Sequence, residues 1–487
     1  MAKPALFLSA AVGSVFCLAC VESVAKSGPS NPQQPRPRPR AVNVTRQYED
    51  NCSHCHGDRG EGGGAGTKTL NTRDLFDQKH DRRFFDVIKN GLLNAAMPAY
   101  GDTMSDEEIW AQVVHVRELQ AKALRTEFGS PKPDASGVYS SALHKFRVET
   151  FVDNGLRVPW SMSWLKDGRA LVTNRPGTMN IVEKNGSLGS EVTGLPESSE
   201  IGQGGLMEVA VHPTNGWIYL SYTEPKKDSS REGLTKIVRG KIEGNRWTSQ
   251  QTIWEAPQQF YNGQGIHFGS KIVFDGKGHL FFSVGERGGN MLAQSLETPY
   301  GKIYRLNEDG TVPSDNPYVG KSPFPGTWSY GHRNPQGLTI ALDGRVWDTE
   351  HQPRGGDEVN EILKGANYGW PVISHGINYN DSPFRLPWPK EGQDLKLPLF
   401  RWLPSTGASG LDVVRNGGFT KWKGDLLAGG LAGQNLDRIR IVDGKLVERE
   451  EIVQGMGRIR DVRVGPDGNV YLVLNGPDKI VRLVPAG

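Results

Sequence analysis

The sequence has few cysteines, little net charge and no long apolar run. Four cysteines occur among the 487 residues, and two of them, Cys17 and Cys20, lie in an N-terminal segment that we expect to be removed. A zinc site on Cys52 and Cys55 is excluded, because it would need a second pair of ligands and no further cysteines remain. The net charge of +3 gives no indication of nucleic-acid binding or of an acidic tail.

Residues 1–25 are predicted to be an export signal. After a short basic region, Ala5 to Ala19 is apolar but too short for a comfortable membrane span, and no other stretch is long and apolar enough. Ser23-Val24-Ala25 has the small-x-small pattern of a cleavage site, so the mature chain is expected to be periplasmic or secreted. A lipoprotein interpretation would use Cys20 instead, although Cys17 stands where such signals have an aliphatic residue.

A haem-attachment motif follows a Pro-rich linker at residues 26–42. Cys52, Cys55 and His56 form the C-x-x-C-H pattern, in which the two thiolates bind the haem vinyl groups and the histidine ligates the iron. A thioredoxin-like redox pair would need a βαβ setting, which this segment lacks. The pattern therefore predicts covalent haem c.

The segment 43–127 resembles the class I cytochromes c. A Met-Pro loop at Met97 follows the haem motif, and a helix capped by Ser105 and Glu108 comes next. The resemblance implies that Met97 is the distal iron ligand, with Met104 as the rival. A His/Met pair suits electron transfer and leaves no open iron position for oxygen chemistry.

A glycine-containing turn followed by a short apolar strand recurs six times beyond a second linker at 128–144. The copies begin at Asp167, Asn215, Lys277, Asp343, Lys423 and Asp467. Such a repeat predicts that residues 145–487 form an all-β six-bladed propeller with four-stranded antiparallel blades, preceded by the small all-α cytochrome c domain. We expect the first and last units to share a blade and close the ring.

The third copy places a histidine beside a carboxylate. Phe268 to Phe274 and His279 to Val284 are predicted strands around a turn at 275–278. His267 and Glu286 lie equally far from the centre of this turn, so antiparallel pairing would bring them face to face. A carboxylate can fix the tautomer of a histidine and raise its basicity, as a general base requires. Taken alone, such a pair is more often a surface ion pair.

Polar segments between the repeats supply arginines and amides. In a propeller, loops from different blades converge at one end of the central channel. Arg333, Arg458 and Arg460, together with Gln203 and Asn334, would form a pocket there for a flat polyanion, since the arginine fork suits planar carboxylates.

These segments resemble those of the soluble glucose/sorbosone dehydrogenases that use pyrroloquinoline quinone (PQQ) and calcium, a family that includes aldose sugar dehydrogenases. The resemblance covers residues 145–485. Its most specific segment is GHRNPQG at 331–337, and NYGWP at 367–371 and R-x-R-D at 458–461 also match.

The resemblance implies roles for individual residues. His267 is the general base, Glu286 its acidic partner, and Arg333 lies at the quinone and the substrate. The residues implied to hold PQQ are Gln203, Asn334, Arg458 and Arg460. Calcium is implied to bind the backbone carbonyls of Gln352 and Pro353.

Several positions depart from the glucose enzymes of this family. Glu286 stands where they have Asp, and Gln352 stands where they have Gly. They also carry a lysine near the segment 431–434, which here contains none, so one cationic contact to PQQ is expected to be missing. Because the loops that shape their substrate and dimer surfaces have no clear equivalent, neither glucose specificity nor dimerisation is predicted.

The implied reaction is the oxidation of an aldose at its anomeric carbon to a lactone. His267 would take the hydroxyl proton while PQQ takes the hydride. The electrons would pass to the haem and then to an external cytochrome or quinone-linked acceptor. The alternatives are a non-catalytic carbohydrate- or protein-binding propeller tethered to a cytochrome, or a PQQ enzyme for a non-sugar alcohol or an aldehyde such as sorbosone.

Overall fold

A computed structural model describes residues 42–64 and 67–486 of the chain. The predicted export signal, the lipid-anchor alternative at Cys20 and nearly all of the Pro-rich linker lie outside the described residues. Within the described part of the chain, no helix combines the length and the apolar character needed to cross a membrane.

The N-terminal part is helical, as predicted. Its helices are α1 (Val44–Asn51), α2 (Ser53–His56), α3 (Asp81–Asn90) and α4 (Asp106–Phe128). Ser105 and Glu108 form the expected capping box at the start of α4. Short 3-10 turns lie at Gln78–His80, Leu93–Ala95, Gln258–Phe260, Asn290–Gln294 and Thr420–Trp422.

In the described residues, twenty-five strands then form six antiparallel sheets, which we call blades 1 to 6. The first strands are β1 (Val138–Ser140) and β2 (Lys145–Val152). Blade 1 contains β3 (Pro159–Trp164), β4 (Ala170–Asn174), β5 (Thr178–Val182) and β6 (Leu188–Glu191). Blade 2 contains β7 (Leu206–Val211), β8 (Ile218–Lys226), β9 (Ser229–Glu243) and β10 (Arg246–Trp254). Blade 3 contains β11 (Ile272–Phe274), β12 (His279–Val284), β13 (Lys302–Asn307) and β14 (Thr327–Tyr330).

The remaining blades continue the same order. Blade 4 contains β15 (Pro335–Ile340), β16 (Val346–Glu350), β17 (Asp357–Glu361) and β18 (Phe400–Trp402). Blade 5 contains β19 (Ala408–Val413), β20 (Leu426–Gly430), β21 (Asn435–Val442) and β22 (Lys445–Gln454). Blade 6 contains β23 (Arg458–Val464), β24 (Val470–Asn475), β25 (Lys479–Pro485), β2 and β1.

The six sequence repeats coincide with one structural position. Each repeat forms the turn between the first and the second strand of its blade. The glycines in these turns are Gly168, Gly216, Gly278, Gly344, Gly424 and Gly468, with φ between 75° and 93°. Because L-residues rarely adopt such angles, the turn selects glycine, and this explains why the repeat is visible in the sequence. The prediction of a six-bladed propeller is confirmed.

The ring closes by pairing the two ends of the propeller sequence. The first strands of neighbouring blades contact one another around the channel, and β2 pairs with β25 in blade 6. This blade has a fifth strand, because β1 pairs with β2. The structure here differs from the sequence analysis, since β1 lies within the segment 128–144 that was predicted to be a linker.

The helices pack directly on the propeller rather than hanging from a linker. Residues Val42–Gly487 form one compact unit. Trp110 of α4 lies in a hydrophobic cluster with Ile377 and Leu403, which belong to loops around β18. The indole nitrogen of Trp110 donates a hydrogen bond to the backbone oxygen of His375 (3.1 Å).

Candidate active site and haem site

The predicted site residues meet at one mouth of the propeller. His267 precedes β11, Arg333 and Asn334 precede β15, and Arg458 begins β23, so all four lie where the first strands of their blades begin. Neighbouring first strands enclose the channel, and loops after the second strands reach the same end. Residues far apart in the sequence therefore surround one opening, as the sequence analysis predicts.

His267 and Glu286 form a buried hydrogen-bonded pair. Nδ1 of His267 bonds to Oε1 of Glu286, and the two residues are 8% and 1% exposed. No described residue forms a hydrogen bond with Nε2 of His267, which leaves this nitrogen for a ligand. Glu286 is held in place by the backbone N–H groups of Gly288 and Asn290.

The electrostatics keep this histidine neutral and its partner ionised. Burial lowers the pKa of His267 below its usual value of 6.5, and Arg333 lowers it further against the opposing effect of Glu286. Burial alone would raise the pKa of Glu286, but the hydrogen bond from His267, the N–H of Asn290 and the charge of Arg333 bring it below its usual value. At neutral pH, Nδ1 of His267 therefore carries the proton and Nε2 is the basic nitrogen.

The backbone that presents His267 differs from the predicted hairpin. The ladder begins only at Ile272 and pairs it with Phe282, so the register is shifted by one residue and would place His267 opposite Arg287. The contact with Glu286 forms because the chain leaves the strand conformation: His267 and Ser270 have φ of 56° and 106°. A Cβ on Gly285 would collide with the carbonyl oxygen of His267, so the glycine permits this close approach.

Hydrogen bonds join the blade 2, 3 and 4 loops around His267. Gln203 accepts the His267 backbone N–H through Oε1 (3.0 Å), and Asn334 accepts the Gly269 N–H through Oδ1 (3.0 Å). Glu286 donates its backbone N–H to the carbonyl of Arg333 (2.9 Å). These bonds place the predicted base next to three residues that the sequence analysis assigned to the quinone pocket.

A second polar group lies across the channel. Arg460 donates from Nη1 to Oε1 of Gln336 (2.7 Å), and its guanidinium carbon lies 4.3 Å from the centre of the Trp160 ring. Nε2 of His351 lies 3.1 Å from the same Gln336 oxygen. His351, Gln336 and Trp160 were not among the predicted site residues, although Gln336 lies in the segment 331–337 and His351 precedes Gln352.

Positive charge accumulates here, because Arg333, Arg458 and Arg460 form no ion pair with a carboxylate among the described residues. Burial, then repulsion from Arg458 and Arg175, lowers the pKa of Arg460 to about 9. Burial, then Arg460 and Arg333, lowers the pKa of His351 well below its usual range. Crowded cations are stabilised by an anion that binds between them, so the residues present fit a polyanionic ligand such as PQQ.

The two carbonyls assigned to calcium already have partners. The Gln352 oxygen accepts from Nη1 of Arg333 (2.9 Å), and the Pro353 oxygen accepts from Oγ of Ser405 (3.2 Å). Asp357 holds this loop by accepting the Gln352 N–H (3.0 Å). Backbone carbonyl oxygens of this kind are the ligands that a hard cation such as calcium takes.

The haem residues lie together in the helical part. Cys52 and Cys55 are free and partly exposed, and α2 carries His56. The Met97 loop returns towards them, because Tyr100 donates its hydroxyl to the Asn51 carbonyl (2.8 Å). Met104 is buried in the hydrophobic cluster with Phe85 and Ile109, as a packing residue would be. This arrangement fits haem c, and the assignment of Met97 as its distal ligand stays a prediction.

Comparisons with known proteins agree with this geometry. Residues 156–482 match the family model described as Glucose / Sorbosone dehydrogenase. The chain belongs to the glucose/sorbosone dehydrogenase family. Residues 39–116 match a second model, described as cytochrome c oxidase, cbb3-type, subunit III, so this family member also carries a cytochrome c domain.

Relatives of this dehydrogenase include named aldose sugar dehydrogenases and solved structures. The aldose sugar dehydrogenase YliI of Escherichia coli is 35% identical over 67% of this chain and 89% of its own length. The crystal structure of the soluble aldose sugar dehydrogenase from E. coli in its apo-form is similar with a TM-score of 0.64 and 33% identity, covering 70% of this chain and all of that one. The PQQ-bound aldose sugar dehydrogenase of Streptomyces coelicolor has a TM-score of 0.56 and 26% identity, covering 70% and 99% of the two chains.

Proposed function

We propose that this dehydrogenase oxidises aldose sugars at the anomeric carbon to lactones, with PQQ and calcium as cofactors. The observation that carries the proposal is the unpaired Nε2 of His267, a neutral imidazole backed by ionised Glu286, at a mouth lined by Arg333, Arg458 and Arg460. The aldose sugar dehydrogenases named among the relatives support the choice of substrate class.

Residues of the chain accept the hydroxyl proton of the sugar and stabilise the charge that results. Nε2 of His267 accepts the proton of the anomeric hydroxyl, while Nδ1 keeps its hydrogen bond to Glu286. The resulting imidazolium lies against a carboxylate that is already ionised and held by two backbone N–H groups, so the positive charge is stabilised where it forms.

The arginine-rich mouth would hold the cofactor. Gln203, Asn334, Arg458 and Arg460 would bind PQQ, Arg333 would lie beside it, and the carbonyls of Gln352 and Pro353 would bind calcium. When bound, PQQ supplies the two-electron acceptor for the hydride of the sugar and calcium polarises its oxygens. The absence of a lysine from segment 431–434 leaves the arginines as the main cationic contacts.

We further propose that the electrons pass to the haem on Cys52, Cys55 and His56, with Met97 as the distal ligand, and then to an external cytochrome or quinone-linked acceptor. Direct packing of α4 on the propeller supports this relay, because it holds the haem-bearing helices against the blade 4 loops. We place the mature protein in the periplasm or outside the cell, where the predicted signal would send it.

Reconstitution tests both steps. The purified protein would be loaded with PQQ and calcium and mixed with a panel of aldoses, non-sugar alcohols and aldehydes, while the quinone and haem bands are followed by stopped-flow absorbance. We expect aldoses to reduce the quinone first and the haem next, without a mediator. A quinone that is reduced while the haem stays oxidised would refute the relay. A failure to bind PQQ or turn over any substrate would favour a non-catalytic binding propeller.

A further inference from the structure

Arg354 links the predicted calcium loop to the helix α4. It follows Pro353 directly, and its side chain extends from the propeller to α4. Nε and Nη2 donate to the two carboxylate oxygens of Glu118 (2.8 and 2.6 Å), and Nη1 donates to Oδ1 of Asp381 (2.6 Å). Bidentate hydrogen bonds between an arginine and a carboxylate are strong and fix the orientation of the two groups as well as their distance.

Asp381 extends the connection to the haem-binding segment. Its Oδ2 accepts the backbone N–H of Thr45 (3.0 Å), and its carbonyl oxygen accepts the N–H of Val44 (2.8 Å). These are free N–H groups of the first turn of α1, which a carboxylate caps well. One helical row of α1 then leads from Val44 through Tyr48 to Cys52, whose N–H donates to the Tyr48 carbonyl (2.8 Å).

Further hydrogen bonds and side-chain contacts support the connection from Arg354 to α1. The backbone of Arg354 exchanges two hydrogen bonds with Ile377, which belongs to the hydrophobic cluster under α4. His115 lies one turn before Glu118 on α4, is buried, and packs against the Tyr48 ring with centroids 4.9 Å apart. The route from Gln352 to the haem cysteine therefore consists of bonds and close contacts throughout.

We propose that Arg354 is a positioning residue for electron transfer between the propeller site and the haem. It sets the position of α1 and α4 relative to the Gln352–Pro353 loop, so the rate of haem reduction depends on it while sugar oxidation does not. The proposal rests on the relay of the proposed function.

The chain offers a matched control. Arg125, near the C-terminal end of α4, also forms a bidentate ion pair with the propeller. It donates to the two carboxylate oxygens of Glu451 in β22 (2.7 and 2.8 Å). The two pairs have similar donor–acceptor distances and are both partly exposed. Only Arg354 adjoins the calcium loop, so the pair at Arg125 reports on general docking strength.

The test compares Arg354→Gln, the milder Glu118→Gln, and the control Arg125→Gln in the full chain loaded with haem, PQQ and calcium. Stopped-flow absorbance gives the rate of haem reduction by sugar, and an artificial dye that takes electrons from the propeller gives the turnover of sugar oxidation. We expect the first two variants to slow haem reduction at least tenfold with dye-linked turnover within twofold of wild type. The control should change neither.

Hydrogen exchange of α1, measured without PQQ, provides a second readout. Arg354→Gln should speed exchange in a peptide spanning Val44–Asn51, while Arg125→Gln should not. Equal effects of the two substitutions, unchanged haem reduction in Arg354→Gln, or a parallel loss of dye-linked turnover would each overturn the proposal. If sugar fails to reduce the haem even in wild type, the relay itself is refuted, and an unchanged exchange pattern would separately refute the positioning role.

Discussion

Two histidine–glutamate pairs lie near the mouth of the propeller, and only one can act as a base. In both, Nδ1 of the histidine bonds to a glutamate, His267 to Glu286 and His332 to Glu350. His332 uses its second nitrogen as well, because Nε2 lies 2.8 Å from Oγ of Ser329. His267 leaves Nε2 open at the mouth.

The protonation of the two glutamates also differs. Glu286 has a lowered pKa and is ionised, whereas burial raises the pKa of Glu350 to about 8, despite its bond from the Arg333 N–H. Burial, then the neighbouring Lys302, lowers the pKa of His332 to about 3. At neutral pH the second pair is therefore a hydrogen bond between two neutral groups, and it organises the interior next to Arg333.

A carboxylate beside a histidine is therefore not sufficient to make that histidine a general base. The histidine also needs an open second nitrogen and a partner that stays charged. His332 lies within the GHRNPQG segment, yet its side chain is fully buried. The specificity of that segment for the family thus reflects packing as well as chemistry.

The largest loss of turnover is expected when His267 is replaced. We expect His267→Gln to lower dye-linked turnover by about 10³-fold, because the glutamine cannot accept the hydroxyl proton. PQQ binding, followed by its absorbance, should persist. Turnover near the wild-type level would refute the assignment of His267 as the base.

Replacing the two glutamates tests their difference in charge. Glu286→Gln should lower turnover about 10²-fold, since an ionised carboxylate no longer stabilises the imidazolium. Glu350→Gln replaces a protonated carboxyl by a neutral amide of the same shape, so we expect turnover within about twofold of wild type. An equal loss in both variants would show that Glu350 also acts as a charged group.

The pH dependence of kcat/KM provides the corresponding readout. In the proposed mechanism the neutral form of His267 is the active one, so the rate should fall as the pH drops through a pKa below 6.5 and stay level above it. Because Glu286 raises the pKa of His267, its removal should shift this acid limb to lower pH. Glu350→Gln should leave the limb in place. A shift to higher pH in Glu286→Gln would contradict the predicted electrostatics.

The smallest effect on turnover is expected at His332. His332→Ala should leave the rate of the folded enzyme within a few fold of wild type, but should lower the free energy of unfolding by about 2–4 kcal/mol, because it empties a buried site and removes partners of Ser329 and Glu350. Denaturant titration measures this loss. His267→Gln, at the mouth, should cost less than about 1 kcal/mol.

Much of the fold could be predicted from local patterns. The turn glycines require a left-handed backbone, so six copies at one structural position leave a repeat that the sequence displays. The capping box of α4 and the C-x-x-C-H motif are equally local. The strand β1 escaped prediction, because three residues inside a polar segment carry too little periodicity to be distinguished from a linker.

The site was predicted in part. His267 and Glu286 do meet, but through a left-handed backbone at His267 and a register one residue away from the predicted one. Equal distance from the turn does not predict this shift in register, because the paired part of the hairpin stops at Ile272. His351 was missed, since its importance comes from arginines of other blades rather than from its neighbours in the chain.

The covalent haem motif and the six repeats can be recognised in the sequence alone, because they depend on spacing along the chain. The sequence also shows which types of side chain are available for chemistry. The tertiary structure is needed to establish which histidine keeps an open nitrogen, which glutamate stays ionised, and that Arg354 links the predicted calcium loop to the helices of the cytochrome domain. Protonation and position depend on burial and on partners from distant segments, which meet only when the ring closes and α4 packs on blade 4.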